Sequence, residues 1–133
     1  MTVPGRVAVV AIAGSHQVLA FNVSAGVWVA QAAVGLTNAD KVVAEGNVVI
    51  VAVAGSHQVL GYSALTGTWA AHSAVGLTNS DQVAVGGNVG VVAVAASHQV
   101  LAFRATTGTW VANAASNSQR QSGKASLLDL EQG

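Results

Sequence analysis

Residues 48–72 have the sequence VVIVAVAGSHQVLGYSALTGTWAAH, and this stretch decides the fold. It contains a Val-rich run, a second apolar run after Gly55-Ser56 and a third segment after the turn at 64–67. Runs of this length that are rich in Val and separated by Gly, Ser or Asn predict β-strands. Ala favours helix, but Gly or Asn interrupts each segment before a stable helix could form. The stretch therefore predicts an all-β protein.

With the residues before it, this stretch forms one unit of four predicted strands. The segments are 40–45, 48–54, 57–63 and 68–75. The second segment is apolar at every position, so both of its faces must be covered by neighbouring sheets. Four short antiparallel strands covered on both faces are typical of the blade of a β-propeller.

The unit recurs with a period of 41 residues. Ser-His-Gln occurs three times at this interval, and AVGLTN occurs twice, at 33–38 and 74–79. A fixed period of about 40 residues predicts a fold assembled from one supersecondary unit. Residues 1–115 therefore comprise three predicted propeller-type repeats, at about 6–34, 35–75 and 76–115, and 116–133 form a C-terminal tail.

The repeats resemble blades of the kelch type and of the related quinoprotein-like type. In those families the third strand carries an aromatic residue, and a Thr-Gly-x-Trp turn leads into the fourth strand. The matching positions are Tyr62, Thr66, Gly67 and Trp69, with equivalents at Phe103, Thr107, Gly108 and Trp110 and at Phe21, Ala25, Gly26 and Trp28. The chain departs from kelch where a Gly pair should close the second strand, since it has Ala-Gly or Ala-Ala. The resemblance covers 6–115 and implies a propeller without implying an activity.

Three blades leave an open wedge, because closed propellers have about four to eight blades. The simplest remedy is a homodimer that closes a six-bladed ring, two-fold symmetry being the commonest. The chain begins at a predicted second strand, and part of 126–131 alternates apolar and polar residues. The tail then either supplies the missing first strand, to its own chain or to the partner, or is disordered. The alternative fold is a β-trefoil, which also has three repeats of this length and closes as a monomer.

Composition excludes several classes of function. Charged residues make up 8% of the chain and balance to a net charge of zero, which gives no field to attract nucleic acid. The apolar runs are far shorter than the roughly 20 residues of a membrane-spanning helix. There is no cysteine, so disulfides and Cys-based zinc sites are excluded. No signal-peptide pattern opens the sequence, which predicts a cytoplasmic protein or one exported by another route.

The candidate site lies in two kinds of loop. In a blade of this connectivity, the loop between the second and third strands and the loop to the next blade emerge on the same face of the ring. These loops carry many donors and acceptors and little charge, which suits neutral hydroxylated ligands such as sugars. The candidate ligand-binding residues are Ser15, His16, Gln17, Ser56, His57, Gln58, Ser97, His98, Gln99, Thr37, Asn38, Asp40, Thr78, Asn79 and Asp81.

A second interpretation of these residues is turn chemistry alone, since Ser, Asn and Asp bond their own backbone in turns. The equivalent histidines lie in different blades, too far apart to share an ion, so no metal and no cofactor are predicted. Adjacent Ser and His do not make a catalytic triad, and no enzyme is predicted. The tryptophans are expected to anchor blade packing, with sugar stacking as the alternative.

The sequence thus predicts a non-catalytic, multivalent, lectin-like propeller in which repeated weak sites act together. The alternative is a structural or protein-interaction ring. A third reading is an amplified or engineered propeller fragment without an evolved ligand, since the repeats are nearly identical.

Overall fold

The computed structural model describes residues 6–115, and this part of the chain is all-β. It contains three separate antiparallel sheets of three, four and four strands, each a meander in which consecutive strands pair. Sheet 1 comprises β1 (Val7–Ile12), β2 (Gln17–Asn22) and β3 (Val27–Ala32); sheet 2 comprises β4 (Lys41–Glu45), β5 (Val48–Val53), β6 (Gln58–Ser63) and β7 (Thr68–Ser73); sheet 3 comprises β8 (Gln82–Gly86), β9 (Val89–Val94), β10 (Gln99–Arg104) and β11 (Thr109–Ala114).

Helical structure in the described part is confined to the short 3₁₀ turns Ala13–Ser15 and Ala54–Ser56. None of its helices has the length and apolar character needed to cross a bilayer.

The strands of sheet 2 agree with the predicted segments to within two residues at each end. β5 is buried at all six of its positions, which confirms that both of its faces are covered. Because successive side chains of a strand point to opposite faces, Val49 and Val51 belong to the apolar layer shared with sheet 1. Val48 and Ile50 belong to the layer shared with sheet 3. Sheet 2 is therefore the central layer of three.

Sheets 2 and 3 approach closely where glycine faces a large side chain. A Cβ built on Gly61 would lie 2.6 Å from Cδ1 of Phe103, and one on Gly90 would lie 2.6 Å from Cγ1 of Ile50. Real Cβ atoms essentially never make contacts this short. The missing side chains on each sheet thus make room for the large residues of the other.

Each sheet carries an aromatic pair directly across its last two strands. Tyr62 lies opposite Trp69 in sheet 2, with ring centroids 5.3 Å apart. The equivalent pairs are Phe21–Trp28 at 5.0 Å and Phe103–Trp110 at 5.2 Å. Such tilted pairs stabilise a sheet by about 0.5–1.5 kcal/mol beyond the area that they bury.

The β-trefoil alternative is wrong for the described residues. In a trefoil, strands from all three repeats pair within one closed sheet. Here strand pairing stays inside each sheet, and the sheets meet through side chains and turn contacts. In the central sheet, β5 is apolar and buried at all six positions, so the stacking of sheets 1 and 3 covers both of its faces. The predicted roles of the tail, 116–133, lie outside the described residues.

Candidate functional site

The two kinds of loop that carry the predicted site lie at one end of the stacked sheets, which we call the rim. It consists of the turns at 13–16, 54–57 and 95–98 and the connections at 33–40 and 74–81. The connection from sheet 1 packs against the turn of sheet 2: a Cβ built on Gly35 would lie 3.3 Å from the backbone nitrogen of Ser56. A Cβ built on Gly76 would lie 2.9 Å from the Cβ of Ala96, in the turn of sheet 3. The predicted juxtaposition of the loops is therefore present in the structure.

The rim brings two sets of predicted residues together. Asp40 is bonded to the Ala54 N–H in the turn of sheet 2, and Asp81 is bonded to the Ala95 N–H in the turn of sheet 3. No equivalent connection precedes the first Ser-His-Gln turn, 15–17, among residues 6–115. The first connection carries Thr37, Asn38 and Asp40 and lies next to the turn with Ser56, His57 and Gln58; the second carries Thr78, Asn79 and Asp81 and lies next to the turn with Ser97, His98 and Gln99.

The aspartates hold the rim together through backbone N–H groups. Oδ2 of Asp40 accepts a hydrogen bond from the Thr37 N–H at 2.9 Å, and Oδ1 accepts one from the Ala54 N–H at 3.2 Å. Between sheets 2 and 3, the buried Asp81 accepts the equivalent two hydrogen bonds, from the N–H groups of Thr78 and Ala95. Each carboxylate thus closes its own turn and ties it to the next sheet. The turn interpretation accounts for these two residues.

Several other predicted side chains are also engaged locally. The Thr37 hydroxyl accepts a hydrogen bond from the Ala39 N–H at 3.2 Å, and Thr78 accepts the equivalent bond. The Ser56 hydroxyl donates to Oε1 of Gln58 at 3.3 Å. Within residues 6–115, no hydrogen bond engages the amide nitrogen of Gln58.

The histidines differ from these residues, because their backbone is constrained while their side chains point into solvent. His16, His57 and His98 have φ of 52°, 52° and 51°, in the left-handed region. The His57 N–H donates to the Ala54 carbonyl at 3.1 Å, and its own carbonyl accepts from the Ala74 N–H at 2.7 Å. All three imidazoles are exposed.

The left-handed conformation is less favourable for histidine than for glycine, although histidine adopts it more often than most residues that have a Cβ. It costs roughly 1–2 kcal/mol for a residue with a Cβ, and glycine adopts it without this penalty. The hydrogen bonds of the turn use only the backbone of His57, so they do not require an imidazole. The backbone geometry is thus explained by the turn, whereas the choice of histidine is not.

A cavity of about 210 Å³ opens on the rim beside β1. One wall is formed by alternate residues of β1 and the turn after it, and the other by the connection from sheet 1 to sheet 2. The lining residues are Val9, Ala11, Ala13, Leu36, Thr37, Asn38, Asp40 and Val42. Three of these residues were predicted from the sequence. The apolar wall was missed, although the period of two at 9, 11 and 13 is the signal of a shared strand face.

The corresponding position between sheets 2 and 3 is bridged by a side chain. The Lys41 ammonium donates to the Asp81 carbonyl, and Lys41 lies at the start of β4. Within residues 6–115, β1 is the edge strand of sheet 1. Sheet 1 of the described part therefore has no strand equivalent to β4 that could carry a lysine to the cavity. This is why the two junctions differ at the rim.

The tryptophans pack between sheets where a preceding sheet exists. Nε1 of Trp69 donates to the Val29 carbonyl at 3.0 Å, and Nε1 of Trp110 donates to the Ala70 carbonyl at 2.9 Å. Trp28 is 53% exposed. The packing interpretation therefore holds for two of the three tryptophans.

Among residues 6–115 no group of three His, Asp or Glu side chains is arranged to hold a metal ion. Each rim histidine belongs to a different sheet. The chain matches no protein-family model and has no significant match among curated protein sequences.

Proposed function

We propose that this chain is a non-catalytic, multivalent binding module of propeller-type blades whose rim binds a neutral hydroxylated ligand, with carbohydrate as the ligand class. The observation that carries the proposal is the exposed histidine held in the left-handed conformation at three equivalent turns. Residues kept in an unfavourable backbone conformation concentrate at functional sites.

The available groups favour a neutral ligand. At each junction the carboxylate is already bonded to two backbone N–H groups. The remaining groups are the imidazole, the amide nitrogen of Gln58 or Gln99, and the exposed side chain of Asn38 or Asn79. The amide groups carry no charge, and amide and imidazole nitrogens form hydrogen bonds with hydroxyl groups such as those of sugars. Since such sites recur from sheet to sheet, weak individual binding would be multiplied by avidity.

The test replaces all three rim histidines by glycine. We expect His16→Gly, His57→Gly and His98→Gly together to leave the free energy of unfolding unchanged or slightly higher, because glycine relieves the left-handed strain. The same variant should lose saturable binding to neutral monosaccharides, with galactose, mannose, fucose and N-acetylglucosamine titrated separately and followed by NMR shifts of the protein. The matched control is Thr66→Ala with Thr107→Ala, at exposed turns on the end opposite the rim.

Binding that survives in the histidine variant would remove the imidazoles from the site. Loss of stability in that variant would instead show that the histidines are needed for folding, and the argument from strain would fail. Absence of binding to every sugar by the unaltered chain would contradict the carbohydrate proposal.

A protein-interaction ring is the second candidate, and one observation favours it. Val34 and Val75 are equivalent residues on the two rim connections and are 65% and 64% exposed. Repeated apolar side chains beside polar groups suit a protein partner better than a sugar. If the rim contacts a protein, Val34→Ser with Val75→Ser should weaken that contact and leave sugar binding unaffected.

A further inference from the structure

The outer faces of sheet 1 and sheet 3 are complementary to each other. Within residues 6–115, neither face is covered, and Trp28 on the first and Val111 on the last are 53% and 62% exposed. We infer that the face of sheet 3 binds the face of sheet 1 of a second copy of this chain and repeats the junctions that already exist between its sheets. The inference is independent of any ligand on the rim.

The first argument is the series of tryptophan hydrogen bonds. Trp69 donates to the carbonyl of Val29 in the preceding sheet, and Trp110 donates to the carbonyl of Ala70. The two donors are 41 residues apart, and so are the two acceptors. The next acceptor in the series is the carbonyl of Val111, and the tryptophan with no preceding sheet among residues 6–115 is Trp28. A second copy would supply a tryptophan N–H to the Val111 carbonyl, and a carbonyl to the Trp28 N–H.

The second argument is a series of side-chain donors at the last residues of β2, β6 and β10, at the end of the sheets opposite the rim. Nδ2 of Asn22 donates to the Ala64 carbonyl at 3.1 Å, and the Ser63 hydroxyl donates to the Ala105 carbonyl at 2.6 Å. The third residue of the series is Arg104, which is exposed. Although the residue type changes, each member can donate. In the second copy the equivalent acceptor is the carbonyl of Val23, which is also exposed.

The third argument is the size of the facing residues. Gly61 faces Phe103 across sheets 2 and 3. One period further along, the small residue is Ala102 and the aromatic residue opposite it is Phe21 of the second copy. At the junction of sheets 1 and 2 the same positions hold Ala20 and Tyr62, and both are buried in one apolar layer. An alanine opposite an aromatic ring is therefore already accommodated within the chain.

A contact between two different faces propagates in one direction, so it closes a ring when the rotation permits. Two copies bring six sheets together, which lies within the range of about four to eight sheets in closed propellers. Each ring then contains two identical chain-to-chain junctions. The outer face of sheet 1 is then covered by sheet 3 of the other copy, and the outer face of sheet 3 by sheet 1 of the other copy.

Sedimentation equilibrium of the 133-residue chain tests this inference. We expect a mass of twice the 13.2 kDa chain mass. Trp28→Glu and Val111→Glu should each raise the dissociation constant by about 30-fold or more, as removal of a central contact does. Val34→Glu is the matched control, since Val34 is equally exposed but lies on the rim, away from both faces, and it should leave the mass unchanged. Far-UV circular dichroism checks that each variant retains its strands.

A single-chain mass for the unaltered protein would overturn the inference. Dissociation by Trp28→Glu but not by Val111→Glu would also overturn it, because two copies would then meet through their sheet 1 faces alone. A mass of three or more chains would exclude the two-copy ring. Arg104→Gln and Arg104→Ala refine the test: glutamine keeps a donor and should retain tighter association than alanine.

Discussion

The covered face of sheet 3 and the face of sheet 1 that residues 6–115 leave uncovered carry the same aromatic pair in nearly the same geometry. The Phe103–Trp110 planes are inclined by 51° and the Phe21–Trp28 planes by 52°, although Phe103 is fully buried and Trp28 is largely exposed. The pair is therefore arranged by cross-strand register within its own sheet. The neighbouring sheet determines how much of the pair is removed from water, and hence how much it stabilises the fold.

Truncation of the two phenylalanines should give the largest difference in the free energy of unfolding between the two faces. Phe103→Ala should lower the free energy of unfolding by about 3–5 kcal/mol, because it leaves a cavity between sheets 2 and 3. Phe21→Ala should cost about 1 kcal/mol in a single chain. Both are measured by urea unfolding in a Val111→Glu background, in which we expect the chains not to associate.

Equal costs in that background would contradict the comparison, since they would mean that the face of sheet 1 is already covered within one chain. In the unaltered background, at a concentration where two chains associate, the cost of Phe21→Ala should rise toward that of Phe103→Ala. Comparison of the two backgrounds therefore tests whether a second copy covers this face.

A smaller effect is expected from filling the space opposite Phe103. Gly61→Ala places a Cβ where the ring already lies and should cost about 1–3 kcal/mol. Gly86→Ala is the matched control, because a Cβ at that strand position meets nothing within 4 Å and its φ is not positive. The control should be neutral or slightly stabilising. If the two alanines have the same effect, sheets 2 and 3 are less closely packed than the structure indicates.

Much of the fold could be predicted from local patterns. The Val-rich runs and the Gly or Asn at their ends indicated the strands of sheet 2, and the apolar character of all positions in 48–53 indicated cover on both faces. These signals lie within a few residues of one another, where propensity and turn chemistry act. The resemblance to kelch-type blades stays a prediction, as do the ring and its number of blades.

The contacts between sheets could not be predicted in the same way. The bond between Asp40 and the Ala54 N–H joins residues 14 apart, and the bond between Trp69 and the Val29 carbonyl spans 40 residues. Such pairs depend on how one sheet lies on the next, which no local pattern specifies. The left-handed histidines gave no signal either, because glycine is the residue expected at positive φ. The structure thus separates the predicted residues whose side chains bond to the turns, such as Asp40 and Asp81, from the histidines, whose side chains are exposed.

The smallest effect isolates a single hydrogen bond at each tryptophan. Trp69→Phe and Trp110→Phe keep an aromatic ring but remove the N–H that donates to a carbonyl of the preceding sheet. Each should lower the free energy of unfolding by about 0.5–1.5 kcal/mol.

Trp28→Phe should leave the free energy of unfolding unchanged in the Val111→Glu background, because the described residues place no sheet before sheet 1. In the unaltered chain the same substitution should weaken association by up to about tenfold, as the loss of one hydrogen bond does. An equal loss for all three variants in single chains would mean that Trp28 already has its acceptor there, and the open face would no longer need a second copy.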